Sequence, residues 1–195
     1  MGLKLGVAME TATERISADR FLELEDEGEF AERWVELIDG EIVVNQPMPI
    51  HAGLQARLAA RLLNWVEGDK GKGLVFTPTD VVMDEFNVYD PDVLWVAAPP
   101  ADLTQRLPRL PDLCIEIRSP STWRFDIGAK KRVYEAGGLP ELWLVDNISD
   151  QVFVFRRSKP AVPTFDIALE LGRGDTLTSP GMAGFALSLE DLFTF

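Results

Sequence analysis

The sequence predicts an α/β (α+β) fold: a mixed β-sheet flanked by helices, with a hairpin added before the core and antiparallel strands added after it. Three observations carry this. Two stretches, "HAGLQARLAARLLNWVEG" (51–68) and "STWRFDIGAKKRVYEAGG" (121–138), repeat apolar residues at helical spacing. Between them lie three extended runs rich in β-branched and aromatic residues, "GLVFTPTDVVMD", "PDVLWVA" and "PDLCIEI". After the second helix, "PELWLVD" is nearly all apolar, the pattern of a strand buried on both faces. Helix, strands, helix and strand in that order make a sandwich of helices on a sheet.

The elements follow in order. "SADRFLELED" opens on Ser17, a good N-cap, and reads as a short helix. "WVELIDGEIVV" is two strands around Asp39-Gly40, a pair suited to a two-residue hairpin turn. In the first long helix Leu54, Leu58, Leu62, Trp65 and Val66 share one face, and Gly68 closes it. The proline-rich "AAPPADLTQRLPRLP" is a surface loop between two core strands. Gly137-Gly138 ends the second long helix. "QVFVFRR", "FDIALEL", "DTLTS" and "GFALSL" read as an antiparallel meander, and "SLEDLF" as a last short helix.

A chain of 195 residues suits one domain, taken here as residues 1–195 with residues 1–15 flexible. The lone cysteine, Cys114, excludes an internal disulfide and a four-cysteine zinc site. It sits in an apolar run, the setting of an inert buried thiol, and cysteine usage fits a reducing cytoplasm. The N-terminus is too short and too weakly basic for a secretory signal, and no apolar run reaches the roughly 20 residues of a membrane span. The net charge of −13 argues against a protein that grips duplex DNA along its backbone. It leaves two possibilities: an acidic protein with other partners, or carboxylates clustered to hold divalent cations that in turn handle phosphate.

The alternation of "PDLCIEIR" sends Leu113, Ile115 and Ile117 to one face and Asp112, Cys114, Glu116 and Arg118 to the other. A carboxylate in the middle of a central strand, as Glu116 is, must be paired, protonated or bound to a cation. Asp92 opens the preceding strand, and two carboxylates on neighbouring strands suit Mg²⁺ or Mn²⁺. On the second long helix, steps of about 100° per residue put Asp126, Ile127, Lys130, Val133 and Tyr134 in one inward half-turn. Lys131, Arg132 and Glu135 fall on the opposite, solvent side. Lys130 can therefore extend over the polar face of the Glu116 strand. His51 and Gln55 lie on the same stripe as Leu54, Leu58 and Leu62, so this end of the first helix meets a polar pocket. Each observation also has an ordinary structural reading. Asp126 and Lys130 have the i, i+4 spacing of surface ion pairs, and Pro91-Asp92 is common turn chemistry.

With these residues in place, "ELIDGEIV", "PIHAGL", "YDPDVLWVA", "PDLCIEIRSPST" and "RFDIGAKKRVYEAGGLPELWLVD" together resemble the Uma-type restriction-endonuclease-like family, bacterial and often cyanobacterial proteins within the PD-(D/E)xK nuclease superfamily. The resemblance runs from about residue 33 to residue 155. It implies a restriction-endonuclease-like core and a metal-dependent endonuclease acting on DNA. Asp92 matches the aspartate of the PD element and Glu116 the acidic residue of the (D/E)xK element, the two that would bind Mg²⁺ or Mn²⁺. Position 118, the usual lysine, is Arg118. The family instead carries its lysine on the following helix, where Lys130 stands. His51 matches the family's histidine at the start of the first core helix, and Glu36 its "ELIDGE" glutamate. His51, Gln55 and Arg118 are then candidate substrate contacts, with Arg118 alternatively a partner for Glu116. The resemblance further implies a homodimer. Two competing readings remain: an inactive member serving as an interaction module, and a hydrolase of small phosphoesters.

Overall fold

The computed structural model describes residues 15–31, 33–68 and 71–195. The expected flexibility of residues 1–15 therefore falls, Arg15 excepted, outside the described residues. Arg15 is tied in place: its Nε donates to the Asp39 carbonyl at 2.8 Å, and its guanidinium lies over the Phe86 ring.

The chain begins with helix α1 (Ala18–Asp26), capped by Ser17 as its sequence suggests, and then the hairpin β1 (Trp34–Ile38) and β2 (Glu41–Asn45). Asp39 and Gly40 both adopt positive φ, 52° and 80°, which is what a tight turn matching the strand twist requires. Helix α2 (Pro49–Val66) starts on a proline, whose missing N–H costs nothing in a first turn. Short strands β3 (Leu74–Phe76), β4 (Val81–Asp84), β5 (Asn87–Tyr89) and β6 (Val93–Val96) follow, then β7 (Leu113–Ile117). The helical stretch after β7 has three parts: α3 (Trp123–Phe125), a π-helical turn (Asp126–Lys130) and α4 (Lys131–Gly137). Strands β8 (Glu141–Asp146), β9 (Gln151–Arg156), β10 (Ile167–Leu171), β11 (Thr176–Leu177) and β12 (Leu187–Ser188) lead to helix α5 (Leu189–Phe193).

The central sheet has six strands in the order β10-β9-β8-β7-β6-β3. It is mixed: β7 and β8 run parallel, joined by the α3–α4 crossover, and the other neighbours are antiparallel. A second sheet, β2-β1-β5-β4, packs on one face of the first. The alternation read in β7 is realised. Leu113, Ile115 and Ile117 pack with Leu54, Leu58 and Leu62 of α2, while Cys114 packs with Tyr134, Tyr89 and Ile38 on the opposite face. Every residue of β8 is buried, as its apolar run requires.

Three expectations are corrected. The run 73–84 is not one strand. It breaks around Pro78, which lacks an N–H for a sheet ladder, so β3 joins the central sheet and β4 the second. Strand β5, which pairs with β1 and β4, has no clear sequence signal. The C-terminal meander stops at β10, and β11 and β12 pair with each other in a separate ladder. The second long helix departs from ideal spacing at its π-turn. Asp126 and Lys130 remain inward, but Ile127 is 51% exposed because the α-helical step of 100° does not hold across that turn.

Candidate active site

The site lies at one end of the central strands, where the two sheets and α2 meet the π-turn. Val93 pairs with Ile115 across the antiparallel β6–β7 ladder, which brings Asp92 level with Glu116. Asp92 Oδ2 accepts the backbone N–H of Ile117 at 2.7 Å, and its main-chain carbonyl accepts Gln55 Nε2 at 2.9 Å. The polar end of the α2 stripe thus closes on this aspartate. His51 Nε2 stands 3.1 Å from Asp92 Oδ1, at ion-pair distance but off the line of a hydrogen bond; both ring nitrogens are buried without a hydrogen-bond partner.

Glu116 is buried at mid-sheet. Its Oε1 accepts the Tyr134 hydroxyl at 2.7 Å and lies 2.8 Å from Lys130 Nζ. Lys130, 1% exposed, also reaches Glu36 Oε1 at 2.6 Å and Asp126 Oδ1 at 3.4 Å. Glu36 projects from β1 and accepts the Asp90 N–H on the same oxygen at 2.9 Å, which ties the second sheet to the lysine. Asp126 Oδ2 accepts from Thr122 Oγ1 at 3.3 Å, and Ser119 Oγ lies 2.8 Å from that hydroxyl.

Around one ammonium there are thus three buried carboxyl groups, Glu36, Glu116 and Asp126, with buried Asp92 on the strand next to Glu116 and Asp90 lining the same cleft as Glu36 and Asp92. Burial, reinforced by the charges of Asp126, Glu36 and Asp92, pushes Glu116 well above the ordinary carboxylate range; the neighbouring Lys130 opposes this. Burial likewise pushes Asp126 up to about 7, again against the pull of Lys130. Asp90 rises to about 8 through burial and then the charge of Glu36. Burial on its own lowers Lys130, but Glu116, Glu36 and Asp126 outweigh it and hold the ammonium well above its ordinary value. The site holds more carboxyl groups than its lysine can balance, which is why burial favours their protonated forms.

This excess, together with unpartnered buried atoms on His51, Asp90 and Asp126, suits a hard divalent cation. Among the described residues no three histidine, cysteine or acidic side chains converge on a single point. Such convergence is not required of Mg²⁺, which is commonly held by one or two carboxylates and keeps several waters. Trp34, Glu36, Asn45, Pro78, Asp90 and Asp92 line a narrow cleft of about 10 Å³ over the site, room for roughly one water.

Arg118 does not pair with Glu116. It bonds Asp146 Oδ2 at 2.8 Å and lies over the Trp123 ring, because the parallel β7–β8 pairing sets Asp146 beside its end of β7. Lys131 turns away from the site and covers the Phe155 ring at 4.5 Å. Sequence reasoning underrated two groups. Asp126 has the spacing of a surface pair yet is buried. Tyr134, in the same inward half-turn as Lys130, fixes Glu116 through its hydroxyl. Asp90, next to the PD pair in "YDPD", gave no separate signal.

A mixed sheet between helices, with carboxylates and a lysine gathered where β6 and β7 end, defines an α/β fold of the restriction-endonuclease-like type. The chain belongs to the Uma2 family, described as "Putative restriction endonuclease", whose profile matches residues 18–190. A crystal structure of "a putative nuclease belonging to DUF820" from Anabaena variabilis ATCC 29413 is similar with a TM-score of 0.74, covering 91% of this chain and 97% of that one. At 21% identity this likeness concerns the fold. No curated protein matches the chain. At the coarse level the family assignment supports a nuclease. Among the described residues no helix is long and apolar enough to cross a membrane.

Proposed function

We propose that the protein is a Mg²⁺- or Mn²⁺-dependent endonuclease that hydrolyses phosphodiester bonds of DNA. The observation that carries this reading is the buried Lys130 ammonium between Glu36 and Glu116, with Asp92 at the end of the adjacent strand and carboxylates in excess. Asp92 and Glu116 are the residues that would hold the ion. When bound, the ion supplies a coordinated water of lowered pKa and neutralises charge on the phosphate.

The protein's own groups do the rest. Lys130 is kept protonated by its carboxylates and can donate a hydrogen bond to the attacking water or to a phosphate oxygen. Tyr134 holds one oxygen of Glu116, which fixes the carboxylate's orientation. Gln55 and the Ile117 N–H hold Asp92 from opposite sides. His51, buried 3.1 Å from Asp92 Oδ1, would contact the phosphate through that aspartate's end of the site. Arg118, partly exposed beside Asp146, can meet the backbone farther along the strand.

Two measurements test the proposal. Calorimetric titration with Mn²⁺ should show binding that Asp92→Asn and Glu116→Gln abolish. A nicking assay on plasmid, linear duplex and single-stranded DNA should show Mn²⁺-dependent cleavage that Glu116→Ala and Lys130→Ala remove. Cleavage indifferent to both substitutions would sink the assignment. Absence of Mn²⁺ binding would favour an inactive member acting as an interaction module.

A further inference from the structure

A second, more open groove adjoins the narrow cleft. Arg33, Trp34, Val44, Asn45, Gln46 and Pro47 line it, and its volume is about 320 Å³. Trp34 and Asn45 line both hollows, so the groove leads directly to Glu36, Asp90 and Asp92. These two residues face each other across the β1–β2 ladder. Trp34 is 51% exposed although the rest of β1 is buried. Among the described residues its ring has no aromatic neighbour and no cation over it. Asn45 Oδ1 is buried and lacks a hydrogen-bond partner. An open indole face and an amide oxygen without a partner thus stand side by side where groove and cleft join.

We infer that this groove seats an unpaired nucleobase next to the phosphodiester to be cut, with Trp34 stacking on the base and Asn45 bonding its edge. The inference rests on the nuclease reading and narrows its substrate to single-stranded or locally unpaired nucleic acid. Stacking on the base face and hydrogen bonds to its pairing edge are how unpaired bases are held, and both surfaces are hidden in an intact duplex. Charge points the same way. Of the described residues lining cleft and groove, Arg33 is the one cation, on a chain of net charge −13. Affinity therefore has to come from the base more than from neutralising a run of phosphates.

The test uses the full-length protein with Ca²⁺ in place of Mg²⁺, so that binding is read without cutting, and fluorescence anisotropy with a single-stranded oligonucleotide and a blunt duplex of the same sequence. Trp34→Ala should weaken single-strand binding about tenfold or more, since an aromatic–base stack is usually worth that much. Duplex binding should not change, and Trp34→Phe should retain most of the single-strand affinity. Circular dichroism confirms that the surface substitution leaves the fold intact. Unchanged single-strand affinity, or an equal loss for both forms, overturns the inference while leaving the nuclease reading standing. So does a shift from dimer to monomer in sedimentation on Trp34→Ala, which would make the groove an interface between copies. If the unsubstituted protein binds neither form, the nuclease reading falls and the inference with it.

Discussion

Lys130 Nζ lies 2.6 Å from Glu36 Oε1, a bond that spans 94 positions of sequence and joins the π-turn to the second sheet. Both groups are almost fully buried, so the pair is a constraint on the fold as well as part of the site. Removing Lys130 strands the charge of Glu36, whereas removing Glu36 leaves the lysine Glu116 and Asp126. Lys130→Met should destabilise the protein by about 3–5 kcal/mol, the usual result of breaking a buried pair from one side. Combining it with Glu36→Gln should cost less than the sum of the two single changes, because the orphaned carboxylate is then gone. Urea unfolding of the four proteins measures both.

Tyr134→Phe isolates a single bond. The ring still packs edge-on to Tyr89, with centroids 5.2 Å apart, so no cavity opens. The loss is the hydroxyl's bond to Glu116, a donor to a carboxylate in a dry site. A cost of about 1.5–3 kcal/mol is expected in urea unfolding, with nuclease activity reduced because Glu116 is less firmly oriented.

The buried acids make stability depend on pH in an unusual direction. Asp90 is raised from 3.8 to about 8, and Asp126 from 3.8 to about 7, chiefly by burial. Between these limits the folded protein binds more protons at these groups than the unfolded chain, so they destabilise the fold as pH rises. Their favourable contribution is complete below about pH 4 and is lost on passing upward through about pH 7 to 8. Without divalent cations, the protein should therefore be less stable at pH 9 than at pH 5. Asp90→Asn should remove part of that difference. Urea midpoints at the two pH values check the sign; an unchanged difference in the variant would refute the assignment to Asp90.

Two adjacent lysines should behave differently. Lys131 lies over an aromatic ring at the edge of the fold, and Lys131→Ala should cost under about 1 kcal/mol and leave cleavage intact. Lys130→Ala should abolish cleavage. A nicking assay and thermal melts on both variants separate them, and equal loss of activity would undermine the special role given to Lys130.

By itself the sequence determined the periodic features. The period of two in β7 fixed which side Glu116 faces, and the helical period placed Lys130 inward and Lys131 outward, because such patterns follow from local backbone geometry. The glycine turn, the Ser17 cap, the nearly all-apolar β8 and the family were legible for the same reason: each is written in neighbouring residues. Tertiary structure decided what depends on distant partners. The i, i+4 spacing of Asp126 and Lys130 also fits a surface pair, and only β1, which brings Glu36 to Lys130, decides that the pair is buried. Arg118 finds Asp146 rather than Glu116 because strand order, which no local pattern encodes, sets β8 alongside β7. Strands β3 and β4 part company, and β5 forms, only because a second sheet exists to receive them. The same layering gathers Glu36, Glu116 and Asp126 around one ammonium beside Asp92, and burial of that unequal set shifts the protonation of its carboxyl groups.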